Sequence, residues 1–133
     1  MRVRTSVVLL FFLLACGGCG RKSTDELLQD LRSGQEGDRI KAVRLLPDRK
    51  GDAAKVIPVM IESLKDKESD VRLSAAIGLG YYGEQAKDAI PALQAAANKD
   101  RDARVRDAAG IALSRIDPAQ FPVPVKRRTA QRK

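Results

Sequence analysis

Chemically versatile side chains are few in this chain and unevenly placed. Two cysteines, Cys16 and Cys19, close an apolar run near the N-terminus, and none follows. Their thiols can be modified covalently, but no disulfide can brace the chain beyond residue 19. No histidine occurs in 133 residues, which removes His-ligated metal sites and imidazole acid–base chemistry. Arg39, Arg72 and Arg106 recur at offsets of 33 and 34 residues and invite a reading as an anion-binding ladder. No catalytic residue, metal ligand set or cofactor is expected from these residues.

The cysteines belong to a recognisable address. Arg2 and Arg4 precede nine apolar residues, Val7 to Ala15. A charged start followed by a short apolar stretch is the pattern of an export signal. As a helix it spans about 14 Å, roughly half the hydrocarbon core of a bilayer, so a permanent membrane-spanning helix is not expected. Gly17, Gly18 and Gly20 would break any helix that tried to continue. Leu13-Leu14-Ala15-Cys16 resembles the bacterial lipobox, departing from it at Leu14, where that pattern prefers a smaller residue. The resemblance implies a signal peptide over 1–15, a linker over 16–23 and acyl chains such as palmitate on Cys16. Cys19, preceded by Gly18, is the alternative site, and an unlipidated signal with a secreted or periplasmic product is a third reading. Several acyl chains hold a terminus to a membrane far more firmly than one. The residue after either cysteine is Gly rather than Asp, which by the same resemblance favours the outer membrane where a cell has two.

The elements that follow are repeated. Arg39-x-x-Ala42 ending in Leu46, Arg72-x-x-Ala75 ending in Leu79, and Arg106-x-x-Ala109 ending in Leu113 share one pattern. Between them Val56-Ile57-Pro58-Val59-Met60 is matched by Ala89-Ile90-Pro91-Ala92-Leu93, and the first unit has Leu27, Leu28 and Leu31 at the equivalent place. Each unit thus holds a helix A and a helix B. The apolar spacing is helical: Val105, Ala108, Ala109, Ala112, Leu113 and Ile116 fall at +3, +4, +7, +8 and +11. Pro58 and Pro91 suit the first turn of a helix A, or bend it. Gly51 and Gly83 are placed to turn the chain after a helix B. Asp38, Asp70, and Asp100 or Asp102 are expected to cap the B helices. Ala42, Ala75 and Ala109 let paired helices approach, and a bulky residue there should cost about 1–3 kcal/mol in overpacking.

Asp70-Val71-Arg72-Leu73-Ser74-Ala75-Ala76-Ile77-Gly78-Leu79-Gly80, together with Ala89 to Leu93, resembles the HEAT-repeat family, in particular its short PBS-lyase HEAT-like type. The likeness covers about residues 24–116. It implies an all-α fold, a right-handed α-solenoid of about three helix pairs. It further implies that the recurrent Asp and Arg residues tie neighbouring repeats together. Some relatives of that type are bilin lyases, so a tetrapyrrole-handling protein is an alternative reading. The di-iron hydroxylases built from HEAT repeats use His-Glu motifs, which a chain without histidine lacks. The expectation is therefore a non-enzyme.

Charge points the same way. Of the net +8, seven charges reside at the two ends, in Arg2, Arg4, Lys126, Arg127, Arg128, Arg132 and Lys133. The remaining 18 basic residues face 17 acidic ones, so the repeat region is near neutral and nucleic acid is not an expected partner. Glu62 to Asp70 reads as a solvated helix end and loop. Beyond Ile116, Pro118, Pro122 and Pro124 predict an extended stretch, and 117–133 as a whole a disordered basic tail. That tail could tether the protein to an anionic surface. Ile40, Leu73, Ile77, Tyr81, Asp107 and Ser114 lie opposite the buried stripe of the B helices and are the candidate groove for a protein partner. Of Tyr81 and Tyr82, one is expected in the core and one exposed. The function expected is that of a scaffold: acyl chains localise the protein in the cell envelope and the solenoid binds a partner.

Overall fold

A computed structural model of the chain describes residues 21–122. Six α-helices occur among them, with no strand: α1 Thr24–Ser33, α2 Glu36–Leu45, α3 Ala53–Ser63, α4 Ser69–Tyr82, α5 Ile90–Lys99 and α6 Ala103–Ile116. They pair as α1–α2, α3–α4 and α5–α6. The second helix of each pair forms one layer, in which α4 packs on both α2 and α6. The predicted solenoid of three helix pairs is therefore the architecture observed. None of the described helices is long and apolar enough to cross a membrane. The proposed signal peptide, both cysteines and residues 123–133 lie outside the described residues.

The apolar periodicity accounts for the core. Leu27, Leu28 and Leu31 of α1, Val56, Ile57 and Met60 of α3, and Val105, Ala109, Leu113 and Ile116 of α6 are all buried. Ala42, Ala75 and Ala109 are wholly inaccessible, as their small size and matching positions require. A Cβ added at Gly80 would lie 3.1 Å from the Ala112 Cα, so α4 and α6 approach closely through a missing side chain. Tyr82 is buried and its hydroxyl donates to the Leu46 carbonyl at 2.8 Å, fastening the second unit to the first. Burial pushes the phenol up to about 12. Tyr81 is the exposed member of the tyrosine pair.

Local expectations fare unevenly. Ser23 and Glu26 form a reciprocal capping box on α1. Asp102 caps α6, accepting from the Arg104 backbone N–H. Asp38 and Asp70 do not cap: the N-caps of α2 and α4 are Gln35 and Glu68, so both aspartates fall within the first helical turn. There they still favour the positive end of the helix dipole. Gly83 turns the chain after α4 with φ +55, but Gly51 sits in a short 3-10 turn without positive φ. Pro91 lies in the first turn of α5 as predicted, whereas α3 begins at Ala53 and carries Pro58 inside it. Of the stretch predicted to be extended after Ile116, the described residues 118–120 form a turn instead. Phe121 N–H donates back to the Asp117 carbonyl, and the Phe121 ring packs against the core.

Candidate functional site

The recurrent arginines build an ordered ladder along the edge where each first helix turns into its second. Arg39 donates through Nε and Nη2 to the two carboxylate oxygens of Asp66, at 2.9 and 3.2 Å. Arg72 makes the same fork onto Asp100, at 2.8 and 2.9 Å. In both cases the aspartate belongs to the loop of the following unit. Nη1 of each arginine is fixed separately, to the Gly34 carbonyl for Arg39 and to the Asp66 and Lys67 carbonyls for Arg72. The side chains of Arg72 and Asp100 are only 6 % and 8 % exposed. The hydrogen bonds from Arg72 hold the Asp100 carboxyl below the usual carboxylate range, against the opposing effect of burial. Planar two-point pairing explains why arginine occupies these positions; lysine offers a point charge without the fork.

The resemblance implied Asp–Arg ties between neighbouring repeats, and the structure has them; that Asp66 and Asp100 are the aspartates making them was not specified by the sequence. Asp66 was expected in a solvated loop and Asp100 as a cap, yet each spans two units. A signal was present: Lys65-Asp66-Lys67-Glu68 recurs as Lys99-Asp100-Arg101-Asp102, 34 residues on. Each aspartate also accepts the backbone N–H two residues ahead, at Glu68 and Asp102, both at 2.9 Å. One residue thus orders the loop and receives the arginine.

The candidate groove divides into two troughs on either side of α4. The first runs between α2 and α4 and includes Arg44, Pro47, Leu73, Ile77 and Tyr81. The second runs between α4 and α6 and includes Ile77, Tyr81, Asp107, Ile111 and Arg115. Ile77 and Tyr81 stand one helical turn apart and form the ridge shared by both. Ile77, Tyr81 and Ile111 are 43 %, 58 % and 55 % exposed, large apolar side chains that the fold leaves uncovered. The Arg115 guanidinium lies 5.3 Å from the centroid of the Tyr81 ring, a cation–π contact that orients the phenol.

Of the residues proposed for this surface, Leu73, Ile77, Tyr81 and Asp107 line the troughs. Ile40 does not; it is half-buried against the core. Ser114 is not there either. It is 8 % exposed and its hydroxyl donates to the Gly110 carbonyl, so it has nothing to offer a partner. Its polar character suggested an outward position, but a serine can satisfy its hydroxyl within its own helix and still be covered. Ile111, not among the residues expected from sequence, is the counterpart of Ile77 one unit later. Among the described residues no three His, Cys, Asp or Glu side chains converge as metal ligands would.

Comparison with known proteins agrees with the architecture. Residues 24–114 match the family described as HEAT repeats. The chain is also similar to the uncharacterized protein SkfG of Bacillus subtilis (strain 168), with 30% identity over 102 residues. That match covers 77% of this chain and 58% of SkfG. The matched region coincides with the three helix pairs and their Asp–Arg ladder, and the chain belongs to the HEAT-repeat family.

Proposed function

We propose that this protein is a non-catalytic interaction module, tethered to the cell envelope by acyl chains on Cys16, that binds a protein partner through the exposed face of α2, α4 and α6. One observation carries the binding surface: Ile77, Tyr81 and Ile111 stand exposed beside troughs that already have walls. Helical-repeat proteins of this kind use such extended surfaces for partner binding. Tyrosine and arginine at the centre of a face are also the residue types on which interface energy concentrates.

The binding test is affinity capture from detergent-solubilised membranes with the tagged, processed protein. Tyr81→Ala is expected to weaken retention of a specific partner about 30-fold, equivalent to about 2 kcal/mol. Ile77→Asp should abolish it. Both side chains are exposed, so the melting temperature should stay near that of the wild type. Equal retention by the wild type and both variants would remove the face from consideration.

The anchor has its own test. Cys16→Ala is expected to eliminate labelling by a fatty-acid analogue and to release the protein from membranes. Labelling that survives Cys16→Ala but not the added change Cys19→Ala moves the site to Cys19. Labelling of the double variant ends the anchor proposal.

A further inference from the structure

The Asp–Arg ladder has three arginines and two aspartates. Arg106 Nη1 donates to the Asp100 carbonyl at 2.7 Å, the same anchoring onto a loop carbonyl seen for Arg39 and Arg72. What differs is the fork. Among the described residues no carboxylate lies within 4 Å of the Arg106 guanidinium, whereas the forks of Arg39 and Arg72 are filled. Residues 118–133 contain no Asp or Glu.

The helix surface around Arg106 repeats the surface that packs between units. In α4, Arg72, Ala76 and Gly80 lie at i, i+4 and i+8. This stripe faces the third unit, as the Arg72–Asp100 pair and the Gly80–Ala112 approach show. Its counterpart in α6 is Arg106, Gly110 and Ser114. Ala76 is wholly buried, but a Cβ added at Gly110 would meet nothing within 4 Å. Among the described residues, then, nothing covers the half of the stripe next to Arg106, while Ser114 is already covered.

We propose that Arg106 is a receptor for the aspartate of a further helix pair, docked beside α6 as a next repeat would be. The chain displays the complementary group twice. It is an Asp two residues before an acidic N-cap, its Oδ1 braced by the N–H of that cap residue, as in Asp66-Lys67-Glu68 and Asp100-Arg101-Asp102. A second copy does not offer this group from its own first unit, where the matching position is Ser33. This site goes beyond the binding face described above and does not use Ile77 or Tyr81.

The test joins a copy of residues 83–116 to the full chain after Lys133 through a flexible Gly/Ser linker. Tethering raises the effective concentration to about the millimolar range, so weak docking becomes visible. The readout is the side-chain Nε–H resonance of Arg106, with those of Arg39 and Arg72 as internal standards for a filled fork. The expected result is that Arg106 shifts into their range and its exchange with water slows. An Asp100→Asn change in the appended copy alone should reverse both effects. Three outcomes would overturn the proposal. One is an Arg106 resonance that ignores the tethered copy. Another is a shift that survives the Asn change. The last is a resonance already in the filled range in the untethered chain, meaning that this chain's own C-terminal carboxylate or another internal group occupies the fork.

Discussion

Asp100→Asn is expected to lower the melting temperature by about 12–24 °C. The substitution keeps the shape of the side chain, removes its charge and leaves one acceptor oxygen instead of two, so Arg72 stays buried with half of its fork unsatisfied. Breaking a buried ion pair from one side costs about 3–5 kcal/mol. The lower end applies, because the Asp66 and Lys67 carbonyls still accept from Arg72 Nη1. In a domain of this size 1 kcal/mol corresponds to about 4–8 °C. The pH dependence provides an independent check. The Asp100 carboxyl titrates below its ordinary value in the fold, so its contribution is complete above the unfolded-state pKa of about 4. It is lost as pH falls through the lower, folded value. The difference in melting temperature between the wild type and Asp100→Asn should therefore be full at neutral pH and shrink on acidification below about 4. A constant difference across that range would mean that the carboxylate charge is not what stabilises the loop. Asp66→Asn should lower the melting temperature less, because the Arg39–Asp66 side chains are 12 % and 14 % exposed.

Leu79→Ala is expected to cost about 3–5 kcal/mol, enough to leave a substantial unfolded population in a domain of ordinary stability. Leu79 is wholly buried on the helix that packs on both its neighbours in the second layer. The change removes its transfer free energy and leaves a cavity that collapse would fill only by shifting a helix. The measurement is chemical denaturation followed by circular dichroism at the helical band. Leu113→Ala should cost less, because among the described residues α6 has a helix of the second layer on only one side and can relax outward. Equal costs would argue that the third unit is as constrained as the middle one. Single units of such a stack cannot bury their apolar stripes alone, so either loss should be felt as one cooperative transition.

The fold was legible because its main determinant is local. A 3.6-residue apolar period and three small residues at matching positions specify paired helices. Ala42, Ala75 and Ala109 are wholly buried for the reason their size suggests. Cap positions were less legible. Asp38 and Asp70 favour a helix start in general, but Glu68 follows Asp66, and the Asp66 carboxylate orders that turn. The loop fixes the boundary, not the nearest aspartate. The ladder was half legible. Its arginines recur in plain view, but their partners lie 27 and 28 residues further on, in loops whose charge looks solvated until the arginine of the preceding unit packs onto it. The two troughs follow from exposure, which period alone does not give. Ile40, Leu73 and Ile77 occupy similar helical positions, yet only Ile77 stands largely clear of its neighbours.

Ser33 bears on how the molecule can assemble. A solenoid with a matching plug and socket at opposite ends would join head to tail, and because that geometry does not close on itself it would grow into a fibre. A serine where the later units have Asp66 and Asp100 leaves one end blunt. A copy docking its Arg106 onto the first unit of another would meet that serine in place of a carboxylate, so the ladder pairing would not repeat there.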